Sequence, residues 1–307
     1  MRLGVIDIGS NTVHLLVVQA ERDARPDPAA SEREVLRLMR FLQPDGSISD
    51  EGVAHLVRAV RAMAEGARRA RVDQLVGMCT SAVREATNGA AVLEELEEAA
   101  GVPIRVLSGS EEADLTFLAA RRWHGWAVGR LLVLDIGGGS FEVAMGIDER
   151  PEFSASLPLG AGRLTVDFLP DDPPTKKQLA TLQEYIKDQL TPLRKQLKRL
   201  PAPDHVVATS KTFRSVARLA GQLEAVVGPE ERRRMTLADL QDWVPRLAKI
   251  PAEQRMELPG ITPERTHQIV AGAMVAEKAM KAFGLSSIEI CPWALREGVI
   301  LRMIDGL

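Results

Sequence analysis

Short apolar runs, each followed by a polar turn, open the chain and return in its second half. Residues 3–8 form an apolar run that contains Asp7, a turn begins at Gly9, and a second apolar run covers 13–18. Such runs favour strands, while Gly and Asn favour turns, so the pattern predicts a strand–turn–strand unit. Similar runs recur 128 residues later, over 131–136, 141–147 and 153–159. We interpret this as a duplicated unit that heads each of two α/β domains.

Amphipathic stretches between the runs predict helices and further strands. Positions 34–42 are expected to extend the first sheet, and an Asp-capped helix is expected over 50–71. Thr262 and Pro263 are expected to cap a helix that continues to about Phe283. The other predicted strands are 74–80, 102–107, 205–209 and 287–291, and the other predicted helices are 88–100, 110–121, 175–200 and 294–305. This order predicts mixed sheets covered by helices.

Length and charge narrow the class of protein. The chain has 307 residues, which exceeds the size at which one hydrophobic core stops growing, so two domains are expected. Hydrophobic residues make up 45% and charged residues 26%, as in a soluble globular protein. Lys and Arg number 39 against 42 Asp and Glu, a net charge of −3. This balance excludes a globally basic nucleic-acid binder but allows a local basic groove.

Cysteine usage and the apolar pattern predict a cytoplasmic protein. Cys79 and Cys291 cannot form a disulfide framework, and no Cys-x-x-Cys motif or His/Cys cluster offers a structural zinc site. We expect both cysteines to be buried in a reducing compartment. Asp7, Asn11 and His14 interrupt the N-terminal apolar stretch, so no signal peptide is expected. No apolar run approaches about 18 residues, so no membrane partner is expected.

The two aspartate turns are the first candidate chemistry. Asp7 and Asp135 each come near the end of a predicted buried strand, where α/β sheets bind ligands. Consecutive glycines let backbone N–H groups approach an anion, and hydroxyl and amide side chains add donors. The residues concerned are Ser10, Asn11 and Thr12 in the first turn and Gly137, Gly138, Gly139 and Ser140 in the second. The pair predicts phosphate or nucleotide binding and carboxylates suited to Mg²⁺, although single turns of this kind also occur without a ligand.

Three further residues have two interpretations each. Glu112, next to Glu111, is either an acid in the first turn of a helix or a carboxylate that activates water. Arg84 is either half of a surface ion pair or a phosphate clamp. Glu142 points to the same side of its predicted strand as Ser140. Contact with a metal ion or water there would offset the free-energy cost of burying its charge.

The motifs together resemble the exopolyphosphatase/guanosine pentaphosphate phosphohydrolase (Ppx/GppA) family. The resemblance rests on the order and spacing of segments across the whole chain. These segments are Asp7–Thr12, Thr80–Arg84, Ser108–Ala113, Asp135–Glu142, Leu157–Gly160, Ile269–Ala273 and Leu295–Val299.

The resemblance implies an α/β fold of two ribonuclease H-like domains, as in actin, sugar kinases and Hsp70, with a cleft between them. The N-terminal domain would comprise residues 1–123 plus 294–307, and the C-terminal domain 124–293. The chain looks like the short, two-domain type without the extra helical C-terminal region of longer members.

The implied activity is the Mg²⁺-dependent release of terminal phosphate from inorganic polyphosphate or from pppGpp, with Mn²⁺ as a substitute metal. Glu112 matches the family's catalytic base, and Asp135 matches its metal-linked carboxylate. Glu142 is the accompanying catalytic acid, and Asp7 a second, water-mediated metal contact. Expected phosphate contacts are Ser10, Asn11, Thr12, Arg84, Gly137, Gly138, Gly139, Ser140 and Lys211.

One segment departs from the family pattern. Where many members have a Gly-Gly-Thr turn, this chain has Thr209-Ser210-Lys211, which adds a cation and leaves the mode of phosphate contact open. Two other functions remain open from the residues, a phosphotransferase of the same fold and a non-catalytic nucleotide switch. A homodimer is expected because symmetric dimers are the commonest assembly.

Overall fold

The computed structural model describes residues 1–21, 25–224 and 232–306. The strands within these ranges are β1 (Arg2–Ile8), β2 (Thr12–Gln19), β3 (Asp27–Val35), β4 (Gln74–Cys79), β5 (Ile104–Val106), β6 (Leu131–Ile136), β7 (Phe141–Gly146), β8 (Phe153–Leu157), β9 (His205–Ala208), β10 (Gln222–Glu224), β11 (Arg232–Thr236) and β12 (Ser287–Ile290). The α-helices are α1 (Asp50–Arg69), α2 (Ser81–Arg84), α3 (Gly89–Ala100), α4 (Gly109–His124), α5 (Ala161–Phe168), α6 (Lys176–Leu197), α7 (Ser210–Ala220), α8 (Leu237–Leu247), α9 (Ala252–Arg255), α10 (Ile269–Phe283) and α11 (Leu295–Asp305). Short 3₁₀ helices cover Leu38–Phe41 and Trp126–Val128.

The chain divides into two units. Unit 1 comprises Met1–Ala119 and Leu295–Leu307, so α11 returns to the unit that the first strands form. Unit 2 comprises Ala120–Ala294. Both units are α/β.

Unit 1 contains a five-stranded mixed sheet in the order β3-β2-β1-β4-β5. β1 is antiparallel to β2, and β2 is antiparallel to β3, whereas β1–β4 and β4–β5 are parallel. One face of the sheet packs with α1, whose buried side chains include Leu56 and Val60. A second cluster joins Leu3 and Val5 of β1 to Ile300 of α11. The sheet is therefore covered on both faces, as apolar central strands require.

Unit 2 repeats this arrangement in a seven-stranded sheet of order β10-β11-β12-β9-β6-β7-β8. The antiparallel β6–β7–β8 and the parallel β6–β9 and β9–β12 pairs reproduce the directions of the five strands in unit 1. β11 and β10 extend the sheet beyond β12 by antiparallel pairing. The strand–turn–strand repeat that the apolar runs predict is thus present in the fold. The core of this unit packs around α10, whose residues from Ile269 to Ala276 are all buried.

The prediction of a sheet-extending strand over 34–42 is wrong. The third strand of the sheet is β3, at residues 27–35, and residues 38–41 form a 3₁₀ helix. β3 is an edge strand whose side chains are mostly exposed, so its sequence is polar and lacks apolar alternation. The apolar side chains of Leu38 and Met39 are instead buried in the hydrophobic cluster between the sheet and α1.

The predicted cap of one helix and the predicted start of another are also wrong. The cap of α1 is Ser49, whose side chain accepts a hydrogen bond from the Gly52 N–H, and not the aspartate that follows it. The last long helix of unit 2 begins at Ile269, not at residue 262. Residues before it form turns with i→i+3 hydrogen bonds, and the buried Arg265 guanidinium donates to Thr212 Oγ1 at 3.0 Å. The segment before α10 is thus bound to α7 by a side chain that the local sequence pattern does not reveal.

Both cysteines are buried and unbridged, as expected. Burial, followed by the charge of Glu112, raises the pKa of the Cys79 thiol to about 12. The thiol is therefore protonated at neutral pH and acts as a small apolar side chain. In the part of the chain that the structure describes, no helix is long and apolar enough to cross a bilayer.

Candidate functional site

The predicted site residues form two sets, one in each unit. Unit 1 holds Asp7, Ser10, Asn11, Thr12, Arg84 and Glu112, and unit 2 holds Asp135, Gly137, Gly138, Gly139, Ser140, Glu142 and Lys211. Most of these residues lie at or just beyond the ends of β1, β4, β6, β7 and β9, whereas Glu112 lies in α4, which follows the edge strand β5. The two halves of the repeat therefore place polar groups at corresponding positions.

The two adjacent glutamates at the start of α4 have different surroundings. Glu111 accepts hydrogen bonds from the Ser108 N–H and Oγ at 2.8 Å, and its own N–H donates to Ser108 Oγ at 3.2 Å. These bonds from Ser108 lower the pKa of Glu111, and the arrangement is a capping box. Glu112 is only 6% exposed and turns inward. Glu111 is thus part of the helix cap, and Glu112 is the buried carboxylate of the pair.

Arg84 binds Glu112 directly. Its Nη1 group donates to Glu112 Oε1 and, at 2.6 Å, to the carbonyl oxygen of Leu107. α2 is a single turn that follows β4, so Arg84 stands at the carboxyl end of a central strand. Nη2 lies 3.4 Å from Glu85 Oε1. The arginine therefore fixes a buried carboxylate, and its side chain, 23% exposed, still reaches solvent.

Asp7 is paired with a residue from the other end of the chain. Arg296 Nη1 donates to Asp7 Oδ2 at 3.2 Å. Burial raises the pKa of Asp7, and Arg296 opposes that shift. Because a guanidinium already neutralises this carboxylate, it attracts a cation less strongly than an unpaired one would.

The turn after Asp7 is held by its neighbours in space. The Gly9 N–H donates to Thr12 O at 3.0 Å, and Ser10 Oγ lies 3.1 Å from Ser81 Oγ. The backbone oxygens of Ser10 and Asn11 accept hydrogen bonds from the segment 36–38 at 2.8 to 3.0 Å. Ser10 and Asn11 are both buried. The sheet thus brings Ser10 of the first turn and Ser81 of α2 into one hydroxyl pair.

In unit 2, two carboxylates stand opposite each other on neighbouring strands. Asp135 of β6 is the cross-strand partner of Glu142 on β7, so both side chains lie on one face of the sheet. Asp135 Oδ2 accepts from Thr209 Oγ1 at 2.7 Å, and Glu142 Oε1 accepts from Ser156 Oγ at 2.8 Å. Hard oxygen donors from two carboxylates fit Mg²⁺ or Mn²⁺.

The glycine turn after Asp135 is held by the start of α5. The carbonyl oxygens of Gly137 and Gly138 accept from the N–H groups of Ala161 and Arg163 at 3.0 and 2.9 Å, and Gly139 O accepts from Arg163 Nε at 2.7 Å. A trans peptide directs its C=O and the following N–H in opposite senses. The N–H groups of Gly138, Gly139 and Ser140 therefore point away from α5, the orientation that an anion would need.

Lys211 forms an ion pair with Glu264. Its Nζ donates to Glu264 Oε1 at 2.5 Å, and Arg214 Nε donates to Ser210 O at 3.2 Å. Burial alone would raise the pKa of Glu264, but its hydrogen bonds, first that from Lys211, bring the pKa to about 2. Ser210 adopts φ of 69°, a left-handed conformation that suits the glycine of the related pattern better than serine. Lys211 thus contributes to holding α7 in place.

Sequence reasoning missed several partners of the candidate residues. Arg296, Thr209, Ser156 and Ser81 all contact a predicted site residue, yet each is distant from that residue along the chain. Their sequence signal is position: Thr209 directly follows β9, Ser81 begins α2 shortly after β4, and Ser81 and Arg296 lie in segments that resemble the family.

Comparisons with known proteins agree with one another. The model of the Ppx/GppA phosphatase family matches residues 17–306. "Exopolyphosphatase 1" of Mycobacterium tuberculosis is 47% identical over 306 residues, covering 100% of this chain and 89% of that protein. The protein of the same name from Mycobacterium leprae is also 47% identical, with 100% and 90% covered.

Solved structures show the same fold. An exopolyphosphatase from Cytophaga hutchinsonii superimposes with a TM-score of 0.89 at 24% identity, covering 100% of this chain and 99% of the other. The Aquifex aeolicus member of the Ppx/GppA family has a TM-score of 0.79 at 24% identity, with 100% and 98% covered. The chain therefore has the actin-like fold of these proteins.

Proposed function

Because the chain belongs to the Ppx/GppA phosphatase family, we propose that it is an exopolyphosphatase, which hydrolyses the terminal phosphoanhydride bond of inorganic polyphosphate. The observation that carries this proposal is the buried Glu112 carboxylate, held by Arg84 at the end of the unit 1 sheet. The two Mycobacterium relatives bear the name of this activity. Hydrolysis needs a carboxylate to orient and deprotonate water, and Glu112 is the buried acid suited to it.

Arg84 links that carboxylate to the substrate. An arginine bound to Glu112 holds the carboxylate charged and fixes its orientation. A terminal phosphate carries negative charge and accepts bidentate hydrogen bonds, so it competes with Glu112 for the same guanidinium. As Arg84 turns toward phosphate, the proton affinity of Glu112 rises, and the base becomes effective when substrate is present.

A divalent metal ion would be held by unit 2. Asp135 and Glu142 would bind Mg²⁺, or Mn²⁺ as a substitute, through their paired carboxylates. Such an ion would neutralise negative charge on the reacting phosphate. At the corresponding positions of unit 1, Asp7 is opposite His14 and is paired with Arg296. We therefore assign the ion to Asp135 and Glu142, and the expected contact of Asp7 with a metal stays a prediction.

Phosphate oxygens would be bound by the two turns. The N–H groups of Gly138, Gly139 and Ser140 point away from α5, and Ser10, Asn11 and Thr12 provide side-chain donors in the other unit. Gly137 shapes its turn through the hydrogen bond from its N–H to Ser140 O at 2.9 Å. Lys211 reaches a phosphate only if it leaves Glu264, so its role is secondary.

The expected cytoplasmic location and homodimer stay predictions. The two buried, unbridged cysteines are compatible with a reducing compartment.

The first test is Glu112→Gln, which keeps an acceptor for Arg84 and removes the base. We expect phosphate release from polyphosphate to fall by about 10² to 10⁴ with the thermal stability nearly unchanged. The matched control is Glu111→Gln, which removes the capping acid next to it and should retain most turnover. Near-normal release by the Glu112 variant, with Glu111→Gln equally active, would refute the assignment.

The substrate is tested by phosphate release from short polyphosphate, long polyphosphate, pppGpp and ATP. We expect polyphosphate to be hydrolysed fastest, with pppGpp as the second substrate. Transfer to a small acceptor instead of water would indicate the phosphotransferase, and tight nucleotide binding without turnover would indicate the switch.

A further inference from the structure

Three potential metal ligands meet inside unit 2, away from the residues discussed so far. They are His124 at the end of α4, His205 at the start of β9 and Glu289 in β12. One donor atom from each lies within 4.8 Å of the other two, and within the described ranges no other trio of His, Cys, Asp or Glu is so close. The histidine and glutamate side chains are 3%, 23% and 4% exposed, respectively. The group is therefore largely shielded from water.

The fold itself brings these residues together. Glu289 pairs with Val207 across β9 and β12, and Val207 is two residues after His205, so Glu289 and His205 share a face. α4 ends beside them, and the buried guanidinium of Arg121 fixes that end by donating to the carbonyl oxygens of Gly125, Gly129 and Gly146 at 2.8 to 3.1 Å. The three side chains are thus positioned by three separate elements.

The distances suit a tetrahedral ion. His205 Nε2 lies 3.1 Å from Glu289 Oε2, and His124 Nδ1 lies 3.9 Å from Glu289 Oε1. Ligand atoms on a tetrahedral zinc ion, with bonds near 2.0–2.1 Å, are separated by about 3.3 Å. The centroids of the two imidazole rings are 5.1 Å apart, and the angle between the ring planes is 55°, so the rings are adjacent but not stacked. Small side-chain rotations would place all three donors around one ion.

The donor chemistry selects the class of ion. Two imidazoles and one carboxylate suit Zn²⁺, Co²⁺ or Ni²⁺ rather than Mg²⁺, which prefers oxygen ligands. A buried carboxylate also needs a positive partner. Arg234 on β11 is the cross-strand neighbour of Glu289, and its Nη1 donates to Ser287 Oγ at 3.2 Å. A metal ion bound by the two imidazoles would add positive charge beside this carboxylate.

We infer that His124, His205 and Glu289 bind one transition-metal ion of the Zn²⁺ type, which fastens the end of α4 to β9 and β12. This site is distinct from the Asp135 carboxylates. His205 pairs with Leu131 at the start of β6, whereas Asp135 lies four residues further on, about 13 Å along the strand. The ion would stabilise unit 2 and takes no part in the proposed hydrolysis.

The test is a Co²⁺ titration of tag-free, EDTA-dialysed protein in a large excess of Mg²⁺, which occupies the carboxylate sites. We expect one equivalent of Co²⁺ per chain with the intense visible absorption of a tetrahedral, imidazole-bound ion. His205→Gln and Glu289→Gln should bind at least 100-fold more weakly. His267→Gln, which removes an exposed histidine of the same unit, should bind as the parent chain does.

Circular dichroism of each metal-free variant establishes that the comparison is made on folded protein. His205 has the most exposed side chain of the three, so its substitution disturbs packing least. Parent protein that takes up no Co²⁺ under these conditions would overturn the inference and leave protonated histidine as the partner of Glu289. Unchanged binding by His205→Gln would overturn it as well. Because the readout is absorbance and not phosphate release, failure of the proposed activity leaves this result unaffected.

Discussion

Glu111 and Glu112 show how two identical neighbours acquire different roles. Residues at successive positions of a helix point about 100° apart, so one faces the Ser108 cap and the other the interior. Glu111 stabilises the first turn of α4, and Glu112 meets Arg84. The capping interpretation is confirmed for Glu111, and the catalytic interpretation of Glu112 stays a prediction.

Lys211 and Glu264 carry a pH-dependent contribution to stability. The pKa of Glu264 is about 2 against 4.5 for an ordinary glutamate, so the folded state binds its proton less tightly than the unfolded chain does. That contribution is present above pH 4.5 and is lost as the pH falls toward 2.

We therefore expect Glu264→Gln to lower the free energy of unfolding at pH 7 by roughly 3 kcal/mol, from the linkage of pKa to stability. The difference from the parent chain should shrink steadily between pH 5 and pH 2, as measured by urea unfolding at several pH values. Glu257→Gln, at an exposed position of the same unit, is the control and should change little. A difference that stays constant with pH would show that the pair does not act through the Glu264 charge.

Among the structural elements, the glycine turn (residues 137–140) and the start of α5 pack closely on each other. An ideal Cβ on Gly160, the residue that precedes α5, would lie 2.2 Å from Gly139 C and 2.4 Å from Ser140 N. The backbone of the turn therefore packs directly on this glycine. The conformation of the turn depends on α5 as well as on its own glycines, because α5 supplies the hydrogen bonds to its carbonyl oxygens.

We expect Gly160→Ala to displace the turn and to lower turnover with polyphosphate by at least tenfold, with a loss of stability of about 1–3 kcal/mol from overpacking. Steady-state phosphate release and thermal unfolding measure the two effects. Gly306→Ala is the control, since its Cβ would meet nothing closer than 3.5 Å. Unaltered kinetics in Gly160→Ala would mean that the turn does not bind phosphate in the way proposed.

At the scale of the whole molecule, the end of the chain completes the unit in which the chain begins. α11 places Ile300, fully buried, against Leu3 and Val5 of β1, and Arg296 against Asp7. A Cβ on Gly298 would lie 2.0 Å from Leu115 O, so α11 and α4 are in close contact. Unit 1 therefore depends on residues almost 300 positions apart in sequence.

We expect Ile300→Ala to destabilise unit 1 by about 2–5 kcal/mol, as for other large-to-small core substitutions. Differential scanning calorimetry should show the unfolding transition of unit 1 moving to lower temperature while that of unit 2 changes less. Arg302→Ala, on the exposed face of the same helix, should stay within about 0.5 kcal/mol of the parent. Equal losses in the two variants would contradict the role assigned to α11.

The α/β class, the repeat of Asp7 and Asp135, most strands and the motifs of the family could be predicted from the sequence alone. Each of these depends on residues close together along the chain, where apolar periodicity and turn chemistry are visible. The polar edge strand β3 and the start of α10 were missed because strand pairing and a buried Arg265 decided them.

The partners of the candidate site residues, in contrast, depend on the tertiary fold. Arg84 with Glu112, Arg296 with Asp7, and Asp135 opposite Glu142 are pairs that no local pattern specifies. The same holds for His124, His205 and Glu289, spread over 166 positions, where sequence reasoning found no metal cluster at all. Sheet pairing and helix packing bring such residues together, and their charges then depend on burial and on neighbours that only folding supplies.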